Sequence, residues 1–192
     1  MKSLCFATNN MHKLEEVRAA LGETFRIVTL AEIGCTIDLP ETQPTIEGNA
    51  LQKARYVRDH FHVSCFADDT GLEVDALQGA PGVYSARYAG PQRNSDDNID
   101  LLLRNLDTSR NRSARFKTVI ALVNGGEEHL FEGVLEGNIL RKRQGNGGFG
   151  YDPVFQPIGQ TISLAELSMD QKNQISHRGM AVRKLVNFLR AR

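Results

Sequence analysis

The sequence predicts an α/β protein built on a mixed sheet, and three observations carry that prediction. A short apolar run, Ser3-Leu4-Cys5-Phe6-Ala7, passes through a polar loop into Leu14, Val17, Ala20 and Leu21 at helical spacing, the strand-to-helix step of a buried parallel unit. Asn124-Gly125-Gly126 separates two β-rich runs, 116–123 and 128–140, which reads as a hairpin and adds an antiparallel pair. At 192 residues the chain is long enough for a sizeable core, so one domain over 1–192 is expected.

Taken in order, Gly22 stops the first helix, and 25–29 is a second strand followed by turns through Gly34. Residues 37–42 are extended, because a residue before Pro40 avoids the helical region. From Glu47 a helix is expected, with Ala50, Leu51, Ala54, Val57 and Phe61 on its apolar face and Lys53 and Arg55 flanking it. Val63 to Ala67 is a strand that ends in Asp68-Asp69-Thr70-Gly71. Residues 79–85 form a tight turn, and the polar stretch 87–98 is a mobile flap. Ile99, Leu102, Leu103 and Leu106 mark a short helix, and 108–115 a solvated connection. Capping boxes at Ser163…Glu166 and Ser168…Gln171 begin two short helical turns, and Val182, Leu185, Val186 and Leu189 mark the last helix.

Lysine plus arginine and aspartate plus glutamate both number 23, so the net charge is zero and a general nucleic-acid or membrane-surface binder is excluded. An anionic ligand must be met by a local cluster of bases. Cys5, Cys35 and Cys65 are odd in number and set among apolar residues, as buried reduced thiols of a cytoplasmic protein are. No signal peptide and no apolar run of membrane-spanning length is present.

Several segments carry chemistry. Thr8-Asn9-Asn10-Met11-His12-Lys13 lies between a strand end and a helix N-terminus, where amide N–H groups and the helix dipole favour phosphate; an Asn N-cap with an exposed lysine fits the same residues equally well. Asp68 and Asp69 at the end of a strand suit a hard cation or a solvated Asx turn, and Glu41 on its loop is a third candidate oxygen ligand. Gly145 to Gly150 matches G-x-G-x-x-G, but a dinucleotide fingerprint opens a helix, whereas 151–155 reads as extended chain. A glycine-dense loop with one aromatic instead lets backbone approach a flat ligand stacked on Phe149, unless Phe149 only anchors the loop to the core. Ser176-His177-Arg178-Gly179 opens the last helix. His60 and His62 lack the companions of a zinc site and read as structural.

The ordered blocks Thr8-Asn9-Asn10-x-x-Lys13, Asn49-Ala50-x-x-Lys53-Ala54, Ala67-Asp68-Asp69-Thr70-Gly71-Leu72, Gly82-x-Tyr84-Ser85-Ala86-Arg87, Gly148-Phe149-Gly150-Tyr151-Asp152-Pro153 and Ser176-His177-Arg178-Gly179 resemble the inosine triphosphate pyrophosphatase (Ham1-like) family, most of all its bacterial dITP/XTP type. Each block alone is weak; six in order across nearly the whole chain are specific. Gly48 departs from the pattern where an acid is expected, and touches no residue on which the expected site depends.

The resemblance implies an elongated mixed sheet flanked by helices, two lobes with a nucleotide cleft between them, and a homodimer. It implies Mg²⁺-dependent hydrolysis of noncanonical purine nucleotides (ITP, dITP, XTP) to the monophosphate and pyrophosphate, which cleanses the nucleotide pool. Thr8, Asn9, Asn10, Met11, His12 and Lys13 correspond to the triphosphate loop, with Lys53 and Lys172 as further phosphate-facing lysines and Thr70 beside them. Glu41 and Asp69 correspond to the metal-coordinating acids, directly or through water, with Asp68 as their neighbour and Asp69 also as general base. Phe149, Gly150, Tyr151 and Asp152, with His177 and Arg178, correspond to the purine-recognition elements. A donor from His177 or Arg178 would accept a 6-oxo purine and reject the 6-amino group of adenine. The competing expectations are a Maf-like pyrophosphatase for other nucleotides and a sensor that binds a nucleotide without cleaving it.

Overall fold

The structure is a computed structural model that describes residues 2–22 and 25–191. It is α/β, with a seven-stranded mixed sheet and, among the described residues, five α-helices. The strands are β1 (Lys2–Phe6), β2 (Phe25–Val28), β3 (Cys65–Val74), β4 (Pro81–Gly82), β5 (Ser113–Asn124), β6 (Glu127–Ile139) and β7 (Phe155–Pro157). The helices are α1 (Met11–Leu21), α2 (Ile46–Phe61), α3 (Ser95–Asn105), α4 (Met169–Ile175) and α5 (His177–Arg190). The strand order is β2-β1-β3-β5-β6-β7, with β4 paired to β3. β1 runs parallel to β2 and β3, while the β3–β4 and β6–β7 pairs are antiparallel.

The chain divides into two compact units, and β3, β5 and β6 each contribute residues to both. The first comprises Met1–Asp69, Thr118–Gly133 and His177–Arg192. Leu14, Val17 and Leu21 of α1 and Ala181, Val182, Leu185 and Val186 of α5 share one core with Phe6 and Phe66, whose rings stack 4.6 Å apart. α2 serves the opposite face of the sheet, where the Cys65 Sγ donates to the Ala54 carbonyl. The second unit comprises Thr70–Lys117 and Val134–Ser176, with a core of Leu72, Ile99, Leu102, Phe116, Val154 and Phe155 among others.

Local signals hold closely. Gly125 and Gly126 both take positive φ, 57° and 92°, as the two-residue hairpin demands. Both expected capping boxes form, at Ser163 and Ser168. Three expectations change. β3 runs unbroken through Asp68-Asp69-Thr70-Gly71, so the acids sit mid-strand rather than at a strand end or in a turn. The expected flap at 87–98 is tied down: the Asn98 carboxamide accepts from the Ala89 N–H (2.7 Å) and donates to the Ala86 carbonyl (3.1 Å), and α3 already begins at Ser95. Within 108–115, the Arg112 guanidinium donates to the carbonyls of Leu106, Ile139 and Leu140, so it braces backbone instead of facing solvent.

Candidate active site

Successive residues of a strand face opposite sides of the sheet, and that rule sorts the two central acids. Phe66 faces the α1–α5 core, so Asp68, two residues on, shares that face. There its Oδ1 accepts from the Lys13 Nζ of α1 (3.2 Å) and its Oδ2 from the Arg178 Nε of α5 (3.0 Å). The Arg178 Nη1 donates in turn to Glu16 of α1. Asp68 is 0% exposed and Arg178 and Glu16 2% each, so this is a buried alternation of charges. Burial alone would raise the Asp68 carboxyl, but Lys13, Arg178 and Lys53 outweigh it and hold the group well below the usual carboxylate range. Burial pushes the Lys13 ammonium down, against the opposing pull of Asp68.

Asp69 faces the other side, toward α2. Its Oδ2 accepts from the Asn49 Nδ2 (3.2 Å), and its Oδ1 lies 3.8 Å from the Lys53 Nζ. The same Nζ donates to Glu41 Oε1 at 2.6 Å. Glu41 and Asp69 thus meet at one ammonium. Burial pushes the Asp69 carboxyl up, beyond what Lys53, Lys13 and Asn49 pull back, while Glu41 adds to the rise. Burial would lower Lys53, but Asp69, Glu41 and Asp68 outweigh it and raise it. A raised carboxyl beside a held cation is a common sign of a functional group.

The loop between β1 and α1 closes on itself. Asn10 Oδ1 accepts from the Lys13 N–H (3.2 Å) and Thr8 Oγ1 from the Asn10 N–H (3.1 Å). Asn10 is therefore the N-cap of α1, and Lys13 is at once the cap's partner and the cation on Asp68. The Asn9 carboxamide reaches the Ile37 carbonyl and Asp38. Met11 and His12 lie exposed on the first turn. The apolar face expected for α2 is rotated. Asn49, Ala50, Lys53, Ala54 and Val57 are buried, whereas Leu51 and Phe61 are only half-buried, so a helix face that reads as apolar carries two polar site residues. At the start of α5, the Thr118 hydroxyl bonds the Nδ1 of the buried His177 (2.6 Å).

In the second unit, Asp152 Oδ2 accepts from the Lys172 Nζ (2.6 Å) and the Phe149 N–H (2.8 Å). The Lys172 ammonium also stands 4.7 Å from the centre of the Phe149 ring. Gly148 has φ +68°, and a Cβ there would fall 2.2 Å from Asp152 Oδ2, so the glycine lets the carboxylate reach the loop. Lys172 therefore lies with the aromatic and the acid of this loop. Tyr151 is buried in the core and donates its hydroxyl to the Ser85 carbonyl (2.7 Å), while Gly150 and Thr70 are half-buried. Directly after the glycines comes a 3-10 turn, Asp152–Val154, in place of the extended chain expected there, and then β7; the glycines open no α-helix, so the dinucleotide-fold reading falls.

The sequence thus led to Lys13, Glu41, Lys53, Asp68, Asp69 and Arg178, which the first unit gathers, and to Phe149, Asp152 and Lys172, which the second unit gathers. It passed over Glu16, Asn49 and Thr118. Asn49 lay inside one of the six blocks without a role; Glu16 reads as one more helix-surface acid, and Thr118 as one residue of a β-rich run.

The comparisons with known proteins bear on the family and the fold. The Ham1 family profile matches residues 4–188. A Flavobacterium psychrophilum protein named dITP/XTP pyrophosphatase is 53% identical over 187 residues, covering 97% of this chain and 98% of its own. One of the same name from Porphyromonas gingivalis is 54% identical over 190 residues, covering 98% of each. A solved HAM1 protein from Coxiella burnetii superposes with a TM-score of 0.92 at 36% identity over 100% of both chains. The charge clusters, the glycine loop and the fold thus occur together in a chain that belongs to the Ham1 family.

Proposed function

We propose that this chain is a hydrolase that cleaves noncanonical purine nucleoside triphosphates, ITP, dITP and XTP, to the monophosphate and pyrophosphate. The observation that carries the reading is the pair Glu41 and Asp69 held at Lys53, with Asp69 buried and its carboxyl pushed up. A general base works best when its pKa approaches the operating pH, and a carboxylate whose pKa is raised is a stronger base toward water than an ordinary one. Relatives named dITP/XTP pyrophosphatase support the substrate class.

The donor set suits Mg²⁺. Among the described residues no three His, Cys, Asp or Glu side chains are arranged as a metal cage. Two carboxylates, Glu41 and Asp69, offer hard oxygen ligands, and Mg²⁺ is usually held by one or two carboxylates plus substrate phosphates. When bound there, the cation supplies charge neutralisation and Lewis acidity. Asp68 fits this set less well, because both of its oxygens already accept from Lys13 and Arg178. Its role in this proposal is to hold those cations.

Asp69 accepts a proton from the water that attacks the α-phosphorus, and pyrophosphate leaves. Lys13 and Lys53, each with three N–H donors, turn donors toward the phosphates as charge builds up on them. Lys172 is reassigned from phosphate to base: with Asp152 it fixes Phe149 as the stacking platform for a purine. His177 is the donor toward a 6-oxo group, and Arg178 acts through Asp68. A homodimer in the cytoplasm belongs to the same proposal; in the structure itself, no described helix is long and apolar enough to cross a membrane.

The test is hydrolysis of ITP, dITP and XTP beside ATP, GTP, CTP and UTP, with and without Mg²⁺, with products resolved. Inosine and xanthine nucleotides giving monophosphate and pyrophosphate only with Mg²⁺ is the expected result. Preference for a pyrimidine, or tight binding without turnover, would refute it.

A further inference from the structure

We propose that Asn49 is a positioning residue for the hydrolytic centre, one carboxamide that fixes both the Asp69 carboxylate and the segment that carries Glu41. This role rests on the functional reading above. Asn49 is 1% exposed on α2, one helical turn before Lys53. Its Oδ1 accepts from the Gln43 N–H at 2.9 Å and its Nδ2 donates to Asp69 Oδ2 at 3.2 Å. A backbone N–H can only donate, so the amide oxygen must face Gln43 and the NH₂ must face Asp69. The orientation of the amide is therefore settled by chemistry.

The division of labour along α2 makes Asn49 specific. Three successive residues of the 41–43 segment are held by three residues of this helix. Lys53 holds the Glu41 carboxylate, and the Gln52 carboxamide accepts from the Thr42 N–H (2.9 Å) and donates to its hydroxyl (2.8 Å). Asn49 holds the Gln43 N–H. The backbone of the segment is thus gripped by both Gln52 and Asn49, but of these two only Asn49 also bonds Asp69. Lys53 lies 3.8 Å from Asp69 Oδ1 and offers a charge that can swing, whereas the planar amide fixes a direction for Oδ2. Gly48 keeps the approach open, since a Cβ there would stand 2.8 Å from the Gln43 Cβ. Gly48 therefore bears on the site only through Gln43, which is not among the site residues expected from sequence.

Asn49→Ala and the similarly sized Asn49→Leu both remove the donor to Asp69 while Gln52 still holds the segment. Outer-shell partners of metal ligands typically matter by 10- to 100-fold in affinity or activity, so both variants should lose kcat for ITP by about that factor with KM little changed. Titration of the nucleotide-free protein with Mn²⁺, followed by electron paramagnetic resonance, should show weaker binding in Asn49→Ala. Gln52→Ala, which loosens Thr42 alone, should cost less kcat than Asn49→Ala. Wild-type kcat and Mn²⁺ affinity in Asn49→Ala, with only the melting temperature lowered, would overturn the role, as would a Gln52→Ala loss equal to that of Asn49→Ala. If Asn49→Leu fails to fold, Asn49→Ala and the metal titration decide. A wild-type chain that releases no pyrophosphate would sink the functional reading and this role together, whereas an active wild type with an equally active Asn49→Ala would sink this role alone.

Discussion

Replacing Arg178 with methionine tests the buried charge network through its stability. Arg178 separates two carboxylates, Asp68 and Glu16, that are 0% and 2% exposed. Methionine fills much of the volume but leaves both acids facing a neutral side chain, with Lys13 still on Asp68. Removing one partner of a buried pair costs about 3–5 kcal/mol, most of it the penalty of the uncompensated charge. For a chain of this size each kcal/mol lowers Tm by about 2–4 °C, so Arg178→Met should melt roughly 6–20 °C below wild type. A rescue is expected as well. Glu16→Met in the same chain removes the acid that Arg178 had paired, and exchanging a buried ion pair for apolar groups is often neutral or stabilising, so the double variant should melt above Arg178→Met. Calorimetry at pH 7 on wild type, both single variants and the double gives the coupling directly. A Tm for Arg178→Met within about 2 °C of wild type, less than 1 kcal/mol on that scale, would show that the pairing contributes little, as would additive losses in the double.

Asp69→Asn should lower kcat by about 10²- to 10⁴-fold. Because burial raises the folded pKa of this acid, the charged form carries a cost at neutral pH that is relieved as pH falls, so the metal-free variant should melt no lower than wild type at pH 7; a clear fall in Tm would count against the assignment. Phe149→Ala should raise KM for ITP by about 5- to 150-fold, the equivalent of about 1–3 kcal/mol of base stacking, in steady-state kinetics. For Asp68 the sign is opposite: its folded pKa is depressed, so its stabilisation is complete above the unfolded value of about 3.9 and is lost as pH falls through the folded one. Metal-free melts from pH 7 to pH 2 should therefore show an acid-side decline that flattens in Asp68→Asn.

Local chemistry was legible in the sequence, and long-range pairing was not. The strand-loop-helix at Thr8–Lys13, the Gly125-Gly126 hairpin and the capping boxes at Ser163 and Ser168 depend on neighbours within a few residues, and each formed as read. Asp68-Asp69-Thr70-Gly71 misled because its residues favour turns in isolation, while the sheet carries β3 straight through them. That continuity decides the site: it sends Asp68 toward α1 and α5 and Asp69 toward α2. Asn49 and Lys53 escaped the apolar periodicity of α2 because a binary pattern assigns polar residues to solvent, whereas these are buried against acids. Arg178 was read as a donor for the base, yet its partners lie 110 and 162 residues away in sequence, at separations that no local pattern encodes.

In the proposed reaction, water activated at Asp69 attacks the α-phosphorus. Turnover of ITP with Mg²⁺ in H₂¹⁸O, with products resolved by mass spectrometry, tests it directly. The expected result is ¹⁸O in the nucleoside monophosphate and none in the pyrophosphate. Label in the pyrophosphate would place the attack at the β-phosphorus, and labelled orthophosphate would place it at the γ-phosphorus; either result would contradict the role given to Asp69 and the geometry built around it.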